Sequence, residues 1–199
     1  MIHSRVKQIL LLILIFHHSI LNAQVKFDTP YGNNKAIGKY VEINGAKIYY
    51  EEYGKGEPLL LIHPCGGNIK SMENQIDYFK DKYRIIVADS RGQGKSELKT
   101  DSLTYDQITS DWEGLAHHLK LDSINIIGWS DGGIIALKMG IRNKTKIKKF
   151  VAMGANLRPD STALTVGIIE TIKNRLLIEK KTIASGDTSQ GWNTKRQLS

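Results

Sequence analysis

The sequence predicts an α/β domain on a mostly parallel sheet that opens with an antiparallel hairpin. Three observations carry this. Between Pro58 and Met153, apolar strand-like runs alternate three times with segments of helical period. Asn44-Gly45, a pair suited to the positive φ values of a type I′ turn, separates the first two strand-like runs. Finally, Gly128-Trp129-Ser130-Asp131-Gly132 sets a serine between glycines directly after a β-branched run. A length of 199 residues suits one domain, and 41% apolar with 24% charged residues is a globular composition rather than a disordered one.

At the start of the chain, Arg5 and Lys7 precede an apolar run from Ile9 to Phe16, followed by small and polar residues from Ser19 to Ala23. This pattern reads as a cleavable signal peptide over 1–23. The run is shorter than the roughly 20 residues a bilayer span needs. The expectation is an exported protein, periplasmic or secreted, with no stable membrane insertion after cleavage. Losing that segment removes two basic residues and no acid, lowering the formal charge from +8 to +6. The remaining lysines and arginines lie along predicted helix and strand faces without interleaved aromatics, which argues for a solvated face and against nucleic acid. Cys65 is the only cysteine, so no intramolecular disulfide is expected.

Residues 24–38 show no period and read as a lead-in, with the core over 39–160. Lys39–Ile43 and Ala46–Tyr53 form the hairpin, and Pro58–Ile62 is a continuous apolar run suited to a strand buried on both faces. Met72, Ile76 and Phe79 recur at helical spacing, and Arg84–Ala88 is a second buried strand. Tyr105, Ile108, Trp112, Leu115 and Leu119 form an apolar helical stripe, with His117 and His118 on its solvated side. Ser123–Ile127 and Lys149–Met153 read as two more buried strands, with a helix over Gly132–Arg142 between them. Segment 161–199 carries Leu164, Ile168, Ile172 and Leu176 four apart, and reads as an incomplete helical cap. In a parallel sheet, sites gather at the carboxyl ends of strands, where His63, Asp89 and Ser130 fall.

The serine motif is a nucleophile elbow, G-x-S-x-G. The turn is sharp enough that its flanking positions must lack side chains, which Gly128 and Gly132 satisfy. The helix that follows aims its first N–H groups at the serine, where they would stabilise an oxyanion. Gly94-Lys95-Ser96 imitates the end of a phosphate-binding loop, but the matching first glycine position is Asp89. That loop is expected to brace the elbow, with Asp89 and Arg91 in one hydrogen-bonded network. Cys65 is expected to be a small buried residue, since no base or cysteine elbow accompanies it.

Taken together, His63-Pro64-Cys65-Gly66-Gly67, Asp89-Ser90-Arg91-Gly92-Gln93-Gly94-Lys95-Ser96 and Gly128 to Gly133 resemble the α/β-hydrolase superfamily over about 39–181. The elbow is most similar to the esterase branch that includes biphenyl hydrolase-like and valacyclovir hydrolases. The resemblance implies an α/β-hydrolase fold and a serine hydrolase acting on carboxylic esters or related acyl bonds of a small molecule, without metal or cofactor. It implies Ser130 as nucleophile, and backbone N–H groups of Cys65 and Asp131 as the oxyanion hole. Pro64 departs from the family's usual glycine. His63 matches a family histidine that supports the loop, and Asp131 is a candidate for attracting a cationic substrate group.

Activating Ser130 requires a histidine oriented by an acid, which in this fold follow the serine in chain order. His3, His17, His18, His63, His117 and His118 all precede Ser130, and Asp160 is a candidate acid. The expectation is a hydrolase truncated before its last two strands, inactive as these 199 residues, with a non-catalytic remnant or binding protein as the alternative. The strand ending at Met153 would then be a sheet edge, prone to self-association. The mature chain is predicted to begin at or near Gln24. N-terminal sequencing of exported material checks this, and Met1 retained in a membrane fraction would favour an anchor.

Overall fold

Lys39–Ile43 (β1) and Ala46–Tyr53 (β2) pair antiparallel around Asn44 and Gly45, whose φ values of 49° and 79° are those a type I′ turn requires. The structure, a computed structural model, describes residues 27–156, so the signal peptide, the cap segment and Asp160 lie outside the described residues. The chain divides into Met1–Pro30, of which only Phe27 to Pro30 is described, and Tyr31–Ser199, which carries the sheet, the helices and the site. Among the described residues no helix is long and apolar enough to cross a membrane.

The remaining elements follow the predicted alternation. They are Pro58–Ile62 (β3), a 3₁₀ turn at Ile69–Met72 running into Glu73–Phe79 (α1), Arg84–Ala88 (β4), Tyr105–His118 (α2), Ser123–Trp129 (β5), Asp131–Arg142 (α3) and Lys146–Met153 (β6). The sheet order is β1-β2-β4-β3-β5-β6, with β2 antiparallel to β4 and the last four strands parallel. β4 lies on one side of β3 and β5 on the other, so the winding reverses at β3. A crevice opens at the carboxyl ends of strands flanking such a point. Ile62, the last residue of β3, registers with Gly128 near the end of β5, placing the His63 loop beside the elbow.

Leu60, Ile62, Ile86, Ile124 and Ile126 of the central strands form one core with Trp112 and Leu115 of α2 and Ile135, Ala136 and Met139 of α3. β6 begins three residues earlier than read from the sequence, and it is largely exposed, with Phe150 at 46% and Val151 at 52%, the exposure expected of it as a sheet edge rather than the burial its apolar run suggests. Its apolar run is that of a buried strand, yet among the described residues β5 is its only strand neighbour, and it forms the sheet edge.

Buried polar groups tie the loops to this frame. Glu51 is fully buried, and its carboxylate accepts from the N–H groups of Gly32 and Asn34 and the hydroxyls of Tyr49 and Tyr53, at 2.6–3.0 Å. Arg91 differs from the expected partnership with Asp89. Its guanidinium instead grips both oxygens of Asp111 on α2, at 2.6 and 2.8 Å, and donates to the carbonyls of Ile43 and Asn44 in the hairpin. A planar five-donor group buried among carbonyls is satisfied only by such a fork. Removing one partner of a buried pair strands the other charge, at a cost of about 3–5 kcal/mol. Asp111→Ala is therefore expected to lose about that much stability, read as a fall in the urea midpoint. A shift below about 1 kcal/mol would show that water compensates Arg91.

Candidate active site

Ser130 sits between β5 and α3 with φ 53° and ψ −114°, a conformation outside the regions open to most residues. Its neighbours explain how it is held. A Cβ on Gly132 would fall on the carbonyl oxygen of Ile62, and one on Gly128 would fall on that of Gly132, so neither position admits a side chain. The Ser130 N–H donates to the Met153 carbonyl at 2.7 Å, and the Ser130 carbonyl accepts from Gly133 and Ile134. α3 begins at Asp131, and the first N–H groups of a helix have no carbonyl a turn earlier to bond. Ser130 itself is half-buried.

Beside it, the segment after β3 turns between Pro64 and Gly67, closed by Gly67 N–H to the Pro64 carbonyl at 3.0 Å. Pro64 therefore serves the turn as an acceptor, which its missing N–H does not impair. Gly66 N–H donates to the side chain of Gln93 at 2.7 Å, joining this turn to the segment after β4. Cys65, expected to be buried, is exposed, because it stands at the tip of the turn rather than beneath it.

His63 is 1% exposed. Its Nε2 accepts the Ser90 N–H at 2.9 Å, so the proton is on Nδ1, which donates to the Pro64 carbonyl at 2.8 Å. Both ring nitrogens are committed to the loops. His117 and His118 lie exposed at the end of α2. Asp89 is buried and accepts from the N–H groups of Ile69 at 2.8 Å and Lys95 at 2.7 Å, so it braces two loops without Arg91. One residue of the site escaped the sequence reading. Tyr105, taken as the first apolar residue of the α2 stripe, donates its hydroxyl to Asp131 Oδ1 at 2.8 Å. The available signal was Thr104, which caps α2 and starts it at Tyr105, the residue that reaches Asp131.

With this geometry in place, the comparisons agree on the family. The family model for the alpha/beta hydrolase fold matches residues 57–175, and the chain belongs to that family. It is 32% identical over 120 residues to an (E)-2-((N-methylformamido)methylene)succinate hydrolase of Acinetobacter baylyi, covering 59% of this chain and 45% of that protein. It is 29% identical over 122 residues to the serine hydrolase BPHL of Mus musculus, covering 58% and 42%. A thermophilic esterase from Thermogutta terrifontis matches in structure with a TM-score of 0.64 and 26% identity, covering 75% of this chain and 55% of that one. The chain thus spans less than half the length of these two sequence relatives.

Burial holds the His63 imidazole down at about 4, against the opposing pull of Pro64 and Asp131. Burial likewise pushes the Asp89 carboxyl up to about 6, outweighing its two backbone donors. The two groups affect stability with opposite signs. As pH falls from 6.5 toward 4, the unfolded chain takes up the His63 proton first and folding weakens. As pH rises from about 4 to 6, unfolded Asp89 ionises before the buried group does, and folding weakens again. Each amounts to about 3 kcal/mol at full extent. Asp89→Asn removes the second effect alone. Wild type is therefore expected to lose about 3 kcal/mol relative to Asp89→Asn between pH 4 and pH 7, measured by urea midpoints. A constant difference would mean that Asp89 is ionised in the folded chain throughout that range.

Proposed function

We propose that the protein is a serine hydrolase of carboxylic esters or related acyl bonds, with Ser130 as nucleophile and the N–H groups of Cys65 and Asp131 as oxyanion donors. The observation that carries this reading is the strained Ser130 backbone, locked by close contacts at Gly128 and Gly132 and by the Met153 carbonyl. Strain of this kind persists where surrounding structure over-determines it, and it gathers at reactive sites. A serine rather than an aspartate at the elbow favours acyl transfer over the alkyl-ester route that opens epoxides. The carboxylate of Asp131 lies beside Ser130 and is suited to attract a cationic group on the substrate. The substrate is a small molecule reached after export directed by residues 1–23.

Ser130 needs a general base, and the described histidines do not offer one: His63 is committed to Ser90 and Pro64, and His117 and His118 sit on the exposed end of α2. A second reading is a protein that keeps the pocket without the chemistry. A serine hydrolase working without its base histidine loses on the order of 10⁶ in kcat. The purified 199-residue chain is accordingly expected to hydrolyse p-nitrophenyl acetate no faster than its Ser130→Ala variant. Added imidazole is expected to speed phosphonylation of Ser130 by a fluorophosphonate, followed by mass spectrometry, and to do nothing for Ser130→Ala. Failure of imidazole to promote labelling would favour the binding protein. Strong unaided turnover abolished by Ser130→Ala would instead bring a base to the serine from within the chain.

A further inference from the structure

Tyr105 is 38% exposed at the first position of α2, and its hydroxyl is spent on a residue from another element. Asp131 follows Ser130 directly, opens α3 and is half-buried. Cys65, exposed in the turn after β3, is near enough that a thiolate there would add to the effect of Asp131 on the Tyr105 phenol. Three separate segments of the chain thus come together beside Ser130. Burial first, and then the Asp131 charge and hydrogen bond, hold the phenol well above its ordinary range, so it remains a donor at working pH. A neutral donor leaves the carboxylate charge in place. What it changes is where that charge sits: without it, a half-buried aspartate side chain is free to turn to another staggered rotamer and into water.

We infer that Tyr105 is a positioning residue that pins the Asp131 carboxylate at the mouth of the pocket, giving the mouth a fixed negative charge that selects against acyl groups bearing a carboxylate. The inference rests on reading the Ser130 pocket as the acyl site. It goes beyond that reading in making α2, and not only the elbow, a determinant of which acyl groups enter. A unit charge held within contact range through water-like surroundings discriminates against a like charge by about threefold to fivefold.

Cys65 provides a reporter at this mouth, since it is the only cysteine in the chain. The full chain is alkylated with anionic iodoacetate and, separately, with neutral iodoacetamide, and the two rates are divided so that changes in the thiol's own reactivity cancel. In wild type the fixed charge holds this ratio down. Asp131→Asn is expected to raise it about threefold. Tyr105→Phe, which keeps the ring, is expected to raise it by a similar factor, and the double variant no further than Asp131→Asn alone. Added salt should narrow these differences. An unchanged ratio in Tyr105→Phe would overturn the positioning role, because the carboxylate would hold its place without the phenol. An increase that adds to that of Asp131→Asn would overturn it too, by showing that the phenol acts through another group. An unchanged ratio in Asp131→Asn would remove the charged mouth itself. None of these readings requires Ser130 to turn over an ester, so failure of the hydrolase reading and failure of this one are separate results.

Discussion

The site depends on one close approach, that of the first turn of α3 to the end of β3. The Gly132 backbone passes so near the Ile62 carbonyl that no side chain fits between them, and Gly128 lies equally near the Gly132 carbonyl. This proximity bends the chain at Ser130 into a conformation that costs about 1–3 kcal/mol. It also lines up two features that share no local sequence: the turn carrying Cys65 and the helix end carrying Asp131. Both lie where the sheet order reverses at β3, so topology and packing select the same spot. A single methyl group at position 132 would separate them.

Around that approach, buried polar groups hold loops that have little apolar surface of their own. His63 joins the segments after β3 and β4, Asp89 joins the second of these to the 3₁₀ turn, and Arg91 joins it to the hairpin and to α2. Every one of these groups has its hydrogen bonds made, as a buried polar group must if it is not to weaken the fold. The arrangement divides the work. Apolar side chains set the strands and helices, while four ionisable residues, with Glu51 at the hairpin, fix loops in register above them. Loops placed on a rigid frame in this way are where binding and catalysis concentrate.

Most of the fold was legible because it rests on periodicity and turn chemistry, which are local. The hairpin followed from Asn44-Gly45, the central strands from unbroken apolar runs, and the elbow from two glycines spaced around a serine. What escaped the sequence was long-range pairing. Nothing near Arg91 marks Asp111 as its partner, since the two are 20 positions apart and meet only when α2 packs on the sheet. Cys65 was misplaced for a related reason. Small residues are usually buried, but a position one residue into a tight turn is lifted outward whatever its chemistry. Tyr105 looked like core because its spacing matched Ile108 and Trp112, yet the first turn of a helix projects beyond the core that its later turns cover.

The apolar run of β6 reads locally as a buried strand, while its place at the edge exposes it, and that exposure connects the sheet edge to the elbow. Phe150 and Val151 are neighbours in sequence and so face opposite sides of the sheet, and both are exposed. A strand apolar on both faces has the composition of an interior strand. Lys146, Lys148 and Lys149 put charge at its start, where Lys148 also pairs with Glu57 beside β3, and charge on an edge discourages pairing with other chains. The far end of β6 has no such protection and carries a different duty. There, the Met153 carbonyl accepts the N–H of Ser130. The residue that most needs a fixed backbone therefore takes one of its anchors from the described strand with the most exposed faces, and any displacement of the end of β6 would release the elbow along with it.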